Sequence, residues 1–181
     1  MKFISGRILI ISIVALCPAF ISNTASGSVI INELMYHPLP AVPEDPRKEW
    51  IELYNNGAST VNLSGWHFTK GINFSFTNAT LPAGGFLVLA ANAATFASNY
   101  PGVTNVLGDW SGKLNNNGET IELKDNLGAT VDSVAYYSDG DWASRRQGEI
   151  YPGQPSWWRG WEWTTLADGG GKSIELVNPA L

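Results

Sequence analysis

Residues 155–163 read PSWWRGWEW, and this stretch is where chemistry is first sought. Trp157, Trp158, Trp161 and Trp163 concentrate four indole rings in one short segment. An exposed indole stacks on a sugar ring or buries a large area at a protein interface. The doublet Arg145 and Arg146 lies just upstream and offers planar guanidinium groups to such a surface. These six residues form the candidate binding surface. The preferred reading of the same segment is structural: it laps over an open edge of the fold, and its Trp residues are core.

The other residues capable of chemistry are carboxylates and two imidazoles. By simple alternation Glu33 shares a strand face with Val29, Ile31 and Met35, and Glu49 shares one with Ile51 and Leu53. A carboxylate on an apolar face needs a partner, because an unpaired buried charge is costly. Water at a strand end, Arg145 or Arg146, and a shared Ca²⁺ all remain open as partners. Glu52 sits between Ile51 and Leu53 and is expected to face water. Asp139 and Asp141 in "DGD" resemble the start of a calcium loop but lack its later Gly and Glu. Ca²⁺ is therefore the one cofactor left open, and none is otherwise expected. His37 and His67 lack metal-ligand spacing, so each reads as a solvated or hydrogen-bonded imidazole whose replacement by Ala leaves stability nearly unchanged. No Gly-x-Ser-x-Gly elbow occurs, and no catalytic residue is expected. Hydrolysis by a carboxylate pair is the least favoured function.

The N-terminus sets the compartment. Lys2 and Arg7 precede the apolar run Ile8 to Leu16, which is too short to span a bilayer, and Ala25 and Gly27 suit a signal peptidase. Residues 1–27 thus read as a secretory signal, with the mature chain starting near Ser28. The product is expected to be secreted, periplasmic or at the cell surface, with no membrane span once the signal is removed. Cys17 is the only cysteine and leaves with the signal, so the mature fold stands on its core without disulfides. Lys2 and Arg7 are two of the 11 basic residues, so nine face 16 acidic ones after processing, a charge of about −7. Without a basic stripe, nucleic-acid binding is excluded.

The elements that must position these groups are short runs of period two, broken by Gly, Asn and Pro. One phrase occurs twice: "EWIELYNNGASTVNLSG" at 49–65 and "ETIELKDNLGATVDSV" at 119–134. Each reads as a β-hairpin, with Ile and Leu two apart in the core and an Asn- or Gly-bearing turn. "SIELV" at 173–177 repeats part of it. "FLVLAAN" is apolar throughout, as a buried strand is. Only "AATFASNY" (93–100) looks helical, ended by Pro101 and Gly102. The class is all-β, a sandwich or barrel with short loops and at most one short helix.

The order "VIINELMYHP", "EWIELYNNG", "VNLSGWHF", "FTNATLPAGGFLVLAAN" and "LGDWSGKLNNNGETIELKDNLGATVDSV" is similar to lamin tail domains of the bacterial secreted kind. The resemblance covers residues 28 to 137. It implies an immunoglobulin-like β-sandwich that works as an accessory module of exported proteins, and it implies no catalytic residue. The segment 138–181 departs from the lamin version.

The expectation is a signal peptide at 1–27, a lamin-tail-like sandwich at 28–137, and a Trp/Gly-rich extension at 138–181 that packs on the sandwich and adds a last strand. The expected core is Ile51, Leu53, Trp66, Phe68, Leu87, Leu89, Ile121, Leu123, Val131 and Val134. The expected function is a non-catalytic adhesion, targeting or interaction module, with a protein or polysaccharide partner at the cell exterior. It is either a monomer or one module of a larger protein. The alternative is a carbohydrate-binding module using the Trp157–Trp163 cluster.

Overall fold

The structure, a computed structural model, describes residues 29–40, 42–142, 144–147, 153 and 161–178. Its strands are β1 (Val29–Met35), β2 (Trp50–Asn55), β3 (Val61–Asn62), β4 (His67–Lys70), β5 (Phe74–Ser75), β6 (Thr80–Leu81) and β7 (Phe86–Ala90). The short helix α1 (Ala93–Asn99) follows. The chain continues through β8 (Val106–Gly108), β9 (Gly118–Lys124), β10 (Thr130–Tyr137), β11 (Ser144–Gln147), β12 (Trp161–Thr164) and β13 (Ile174–Glu175). One sheet runs β13-β1-β2-β7-β8 and the other β10-β9-β4-β5, with β3–β6 and β11–β12 as separate pairs.

The core lies between the two larger sheets. Ile31, Leu34, Ile51, Leu53, Leu87 and Leu89 from the first meet Phe68, Ile121, Leu123 and Tyr136 from the second in one buried cluster. Removing such side chains from water is the main favourable term, at ~1.5–3 kcal/mol each. Seven of the expected core residues are buried as expected: Ile51, Leu53, Phe68, Leu87, Leu89, Ile121 and Leu123. Trp66, Val131 and Val134 are only half-buried against this cluster. Val131 and Val134 lie on β10, which is an edge strand with a single neighbour.

A second, smaller cluster explains the apolar run at 86–90. Met35, Trp50, Val88, Ala90 and Phe96 pack together on the outer face of the five-stranded sheet, under α1. Strand β7 is therefore central and covered on both faces. Asn92 caps α1 by accepting the Thr95 N–H at 2.9 Å. The helix carries the chain over the sheet and lets β8 pair parallel to β7, the one parallel pair among the described strands. Parallel neighbours need such a crossover. Sequence pattern did not distinguish β8 from loop.

The doubled phrase corrects the reading made from the sequence. The second copy is a hairpin, β9 paired with β10. Asp125 Oδ1 accepts the N–H groups of Leu127 and Ala129, each at 2.8 Å, and Gly128 takes the left-handed φ of +82° that closes the turn. The first copy is not a hairpin. Strand β2 pairs with β1 and β7, while β3 leaves to pair with β6. The cause is Asn55, which is fully buried. Its Nδ2 reaches the carbonyls of Ser59, Leu81 and Pro82 at 2.8–3.1 Å, and its Oδ1 accepts the Gly57 N–H. That side chain stitches the segment after β2 to the segment before β7, so the chain cannot fold straight back on itself.

Alternation fails in β1 as well. The register slips between Ile31 and Glu33, a bulge with Asn32 as the extra residue. Glu33 therefore leaves the core face of Val29 and Ile31 and lies on the outer face with Met35. Leu34 takes the core position beyond the bulge, and Met35 packs in the outer cluster.

Candidate functional site

Arg145 and Arg146 lie on a strand paired with the one that carries Trp161 and Trp163. In the β11–β12 hairpin Arg145 lies opposite Trp163, Arg146 opposite Glu162, and Gln147 opposite Trp161. Trp157 and Trp158 lie outside the described residues. The hairpin follows a single 3-10 turn, Gly140–Trp142, held by the Trp142 N–H donating to the Asp139 carbonyl. The "DGD" stretch thus builds this turn. Trp142, which sequence reasoning passed over, is 40% exposed. It borders an apolar groove of about 490 Å³ between the sheets, with Ile31, Leu34, Val134, Ile174 and Leu176.

The opposite wall of this region is made by residues 165–178. Strand β13 pairs antiparallel with β1, and the Leu176 N–H donates to the Asn32 carbonyl at 2.9 Å. Ala167 is buried in the main core. His37 Nδ1 lies 2.5 Å from Asp168 Oδ1, and the Gly169 N–H donates to the His37 carbonyl at 3.0 Å. His37 is thus a hydrogen-bonded imidazole, one of the two states expected, and it clasps the returning chain to the end of β1. Tyr36, its neighbour, is fully buried and packs against Tyr136 with the rings tilted and their centres 4.7 Å apart. Burial pushes the Tyr36 phenol up to about 12, and the nearby Asp168 carboxylate adds to the effect. His67 Nδ1 contacts the Gly65 carbonyl at 3.1 Å. Neither of these imidazole bonds is to a Ser or Thr hydroxyl.

The acidic residues separate into two places. Glu33 aligns across the strands with Glu52 on one side and Glu175 on the other. Ser173 Oγ donates to Glu33, and Asn32 Nδ2 donates to Glu52 at 2.9 Å. Burial raises the Glu33 carboxyl above its ordinary range, opposed by the Ser173 bond and reinforced by Glu52 and Glu175. Glu52, expected to face water, is half-buried. Glu49 is fully buried immediately before β2, where its Oε2 accepts the Leu114 N–H at 2.8 Å. Burial pushes it up to about 8, despite the Leu114 bond, with Glu44 and Glu119 adding repulsion. Among the described residues no three His, Asp or Glu side chains gather so as to hold a metal ion.

Asp132 was also missed. Its Oδ2 crosses between the sheets and accepts the Ile31 N–H, at the bulge, at 2.7 Å. The N–H freed by the bulge thus has a carboxylate partner, as buried backbone donors require. Only the period break at "INEL" hints at this in sequence.

Two facing sheets around a shared core, with no assembled nucleophile and base among the described residues, define an immunoglobulin-like β-sandwich domain. The Lamin Tail Domain family model matches residues 22–138, and the chain belongs to that family. The family is one of non-enzymatic immunoglobulin-like modules. No curated protein matches the chain.

Proposed function

We propose that this chain is an exported, non-catalytic interaction module that binds a protein at the cell exterior. The leader-like segment at 1–27 supports export. The observation that carries the binding role is the β11–β12 hairpin, a two-stranded sheet of its own that sets Arg145 opposite Trp163. Trp and Arg dominate binding energy where proteins meet. The exposed Trp142 and the apolar groove beside it extend the surface. The module works without a cofactor, and its melting temperature is the same in Ca²⁺ and in chelator.

The test pairs two measurements. N-terminal sequencing of protein from the growth medium or periplasm finds a start near Ser28; retention of Lys2 to Leu16 refutes export. Binding of the mature protein to intact producing cells is lost in Trp161→Ala and Trp163→Ala, with the fold intact by circular dichroism. Unchanged binding removes the hairpin from the site. Loss of binding after periodate treatment of the cells, rather than after protease, assigns the surface to a polysaccharide instead.

A further inference from the structure

The Asn-rich segment 113–117 meets the rest of the domain through three carboxylates in succession. Lys113 Nζ lies 3.5 Å from Glu44 Oε2, the Leu114 N–H donates to Glu49 Oε2 at 2.8 Å, and the Asn115 N–H donates to Glu119 Oε1 at 2.7 Å. The Tyr136 hydroxyl donates to the Asn115 carbonyl at 2.8 Å and lies 3.2 Å from Glu119 Oε1. Leu114 plugs the end of the core and is fully buried, as is Glu49. The second oxygen of Glu49, Oε1, is buried and has no partner among the described residues.

We propose that segment 113–117 is a proton-coupled flap: closed, it keeps Glu49 neutral and sealed; open, it admits water and lets Glu49 ionise. The charged and titratable groups that face Glu49 are Glu44 from the segment before β2, Lys113 from the flap, Glu119 from β9 and Tyr136 from β10. An ionised Glu49 in the closed form would share this place with two carboxylates and one ammonium, and that ammonium is exposed and already at Glu44. Its single hydrogen bond to Leu114 does not offset burial, which is why the closed form holds the proton to about pH 8. Water is the remaining solvent for the charge, and it enters only if Leu114 lifts. A polar cavity of about 350 Å³ lined by Asn115, Asn117 and Glu119 borders the flap. Because the buried Leu114 side chain resists lifting, the open form is a minor population that pH multiplies.

Linkage sets the size of the effect. A group that is neutral when closed and ionised when open multiplies the open population by up to ~10-fold per pH unit across its shifted range. For Glu49 this range runs from the ordinary carboxylate value of 4.5 to about 8.

The test is native-state amide exchange of the mature protein followed by NMR, corrected for intrinsic rates. Protection at Leu114 and Asn115 is expected to fall at least ~10-fold between pH 5.5 and 7.5 and to level off above 8. It should stay below the protection of Leu123, as local opening requires. In Glu49→Gln the fall should vanish. In Glu44→Gln, which removes a neighbouring carboxylate and leaves the core intact, the levelling point should move to lower pH. Three results each overturn the proposal: no fall in the native protein, identical protection at Leu114 and Leu123, or an unmoved levelling point in Glu44→Gln.

Discussion

Residues 49–65 and 119–134 use nearly the same letters for different ends. In both, Ile and Leu two apart enter the core: Ile51 and Leu53 in one, Ile121 and Leu123 in the other. The polar letters diverge. Asn55 is buried and ties three carbonyls together, whereas Asp125 closes a tight exposed turn. Asn62 accepts the Ser64 N–H two residues on, whereas its counterpart Asp132 bridges to Ile31 in the opposite sheet. Glu49 and Glu119 open the two copies and meet at adjacent residues of one flap, Leu114 and Asn115. Apolar alternation is thus a shared requirement of any strand over a core, while the polar residues specify where each strand goes next.

The largest expected effect tests the shared part. Leu53→Ala and Leu123→Ala should each lower the unfolding free energy by ~2–5 kcal/mol in denaturant titration, because both side chains are fully buried. A loss under ~0.5 kcal/mol in one, the scale of a surface change, would show that the two copies are not equivalent in the core.

The divergent part comes next. Asp132→Ala strands the Ile31 N–H and should cost ~1–3 kcal/mol. Asn62→Ala, at the matching position, touches an exposed local bond and should stay within ~0.5 kcal/mol. Equal costs by thermal or chemical unfolding would break the contrast. Glu49 gives a pH signature. Its closed-form proton is held to about pH 8 against an ordinary 4.5, so the folded state binds more protons than the unfolded one in that window. Stability should therefore fall as pH rises, by at most ~1.4 kcal/mol per pH unit, and level off above. Glu49→Gln should flatten the profile; an unchanged slope would place the proton elsewhere. The smallest effect is at His37. His37→Ala removes the clasp to Asp168 and should cost ~0.5–1.5 kcal/mol. A melting temperature equal to that of the native protein would show that residues 165–178 are held by β13 and Ala167 alone.

Much of the architecture was legible in the residues. Strand runs at 29–35, 50–55, 86–90, 118–124 and 130–137 follow from alternation or continuous apolarity bounded by Gly, Asn and Pro. The short helix at 93–99 follows from the run AATFASNY and the Pro-Gly that ends it. The order of these pieces was similar to one family, and that family is the right one. Two readings were wrong, a hairpin at 49–65 and Glu33 on the face of Val29 and Ile31, and the partner of His37 was not visible. Each required a partner far away in the chain: Leu81 for Asn55, Asp132 for the N–H of Ile31 beside the bulge, and Asp168 for His37. The candidate site shows the same limit. The density of Trp and Arg was visible at once, but their cross-strand register and the exposure of Trp142 were not.

The sequence by itself determined the all-β class, the faces of the regular strands, the single short helix and the turn chemistry of the second hairpin. These depend on side-chain period and on local φ preferences, which act within a few residues. The tertiary structure alone decided which strands pair, where β1 bulges, and which carboxylates are buried. Those outcomes depend on backbone groups that must find hydrogen-bond partners wherever the core places them, and on the dielectric that results. Glu49 and Glu52 are three residues apart in one chain segment; one is sealed under Leu114 and keeps its proton to about pH 8, and the other lies half-buried beside Asn32.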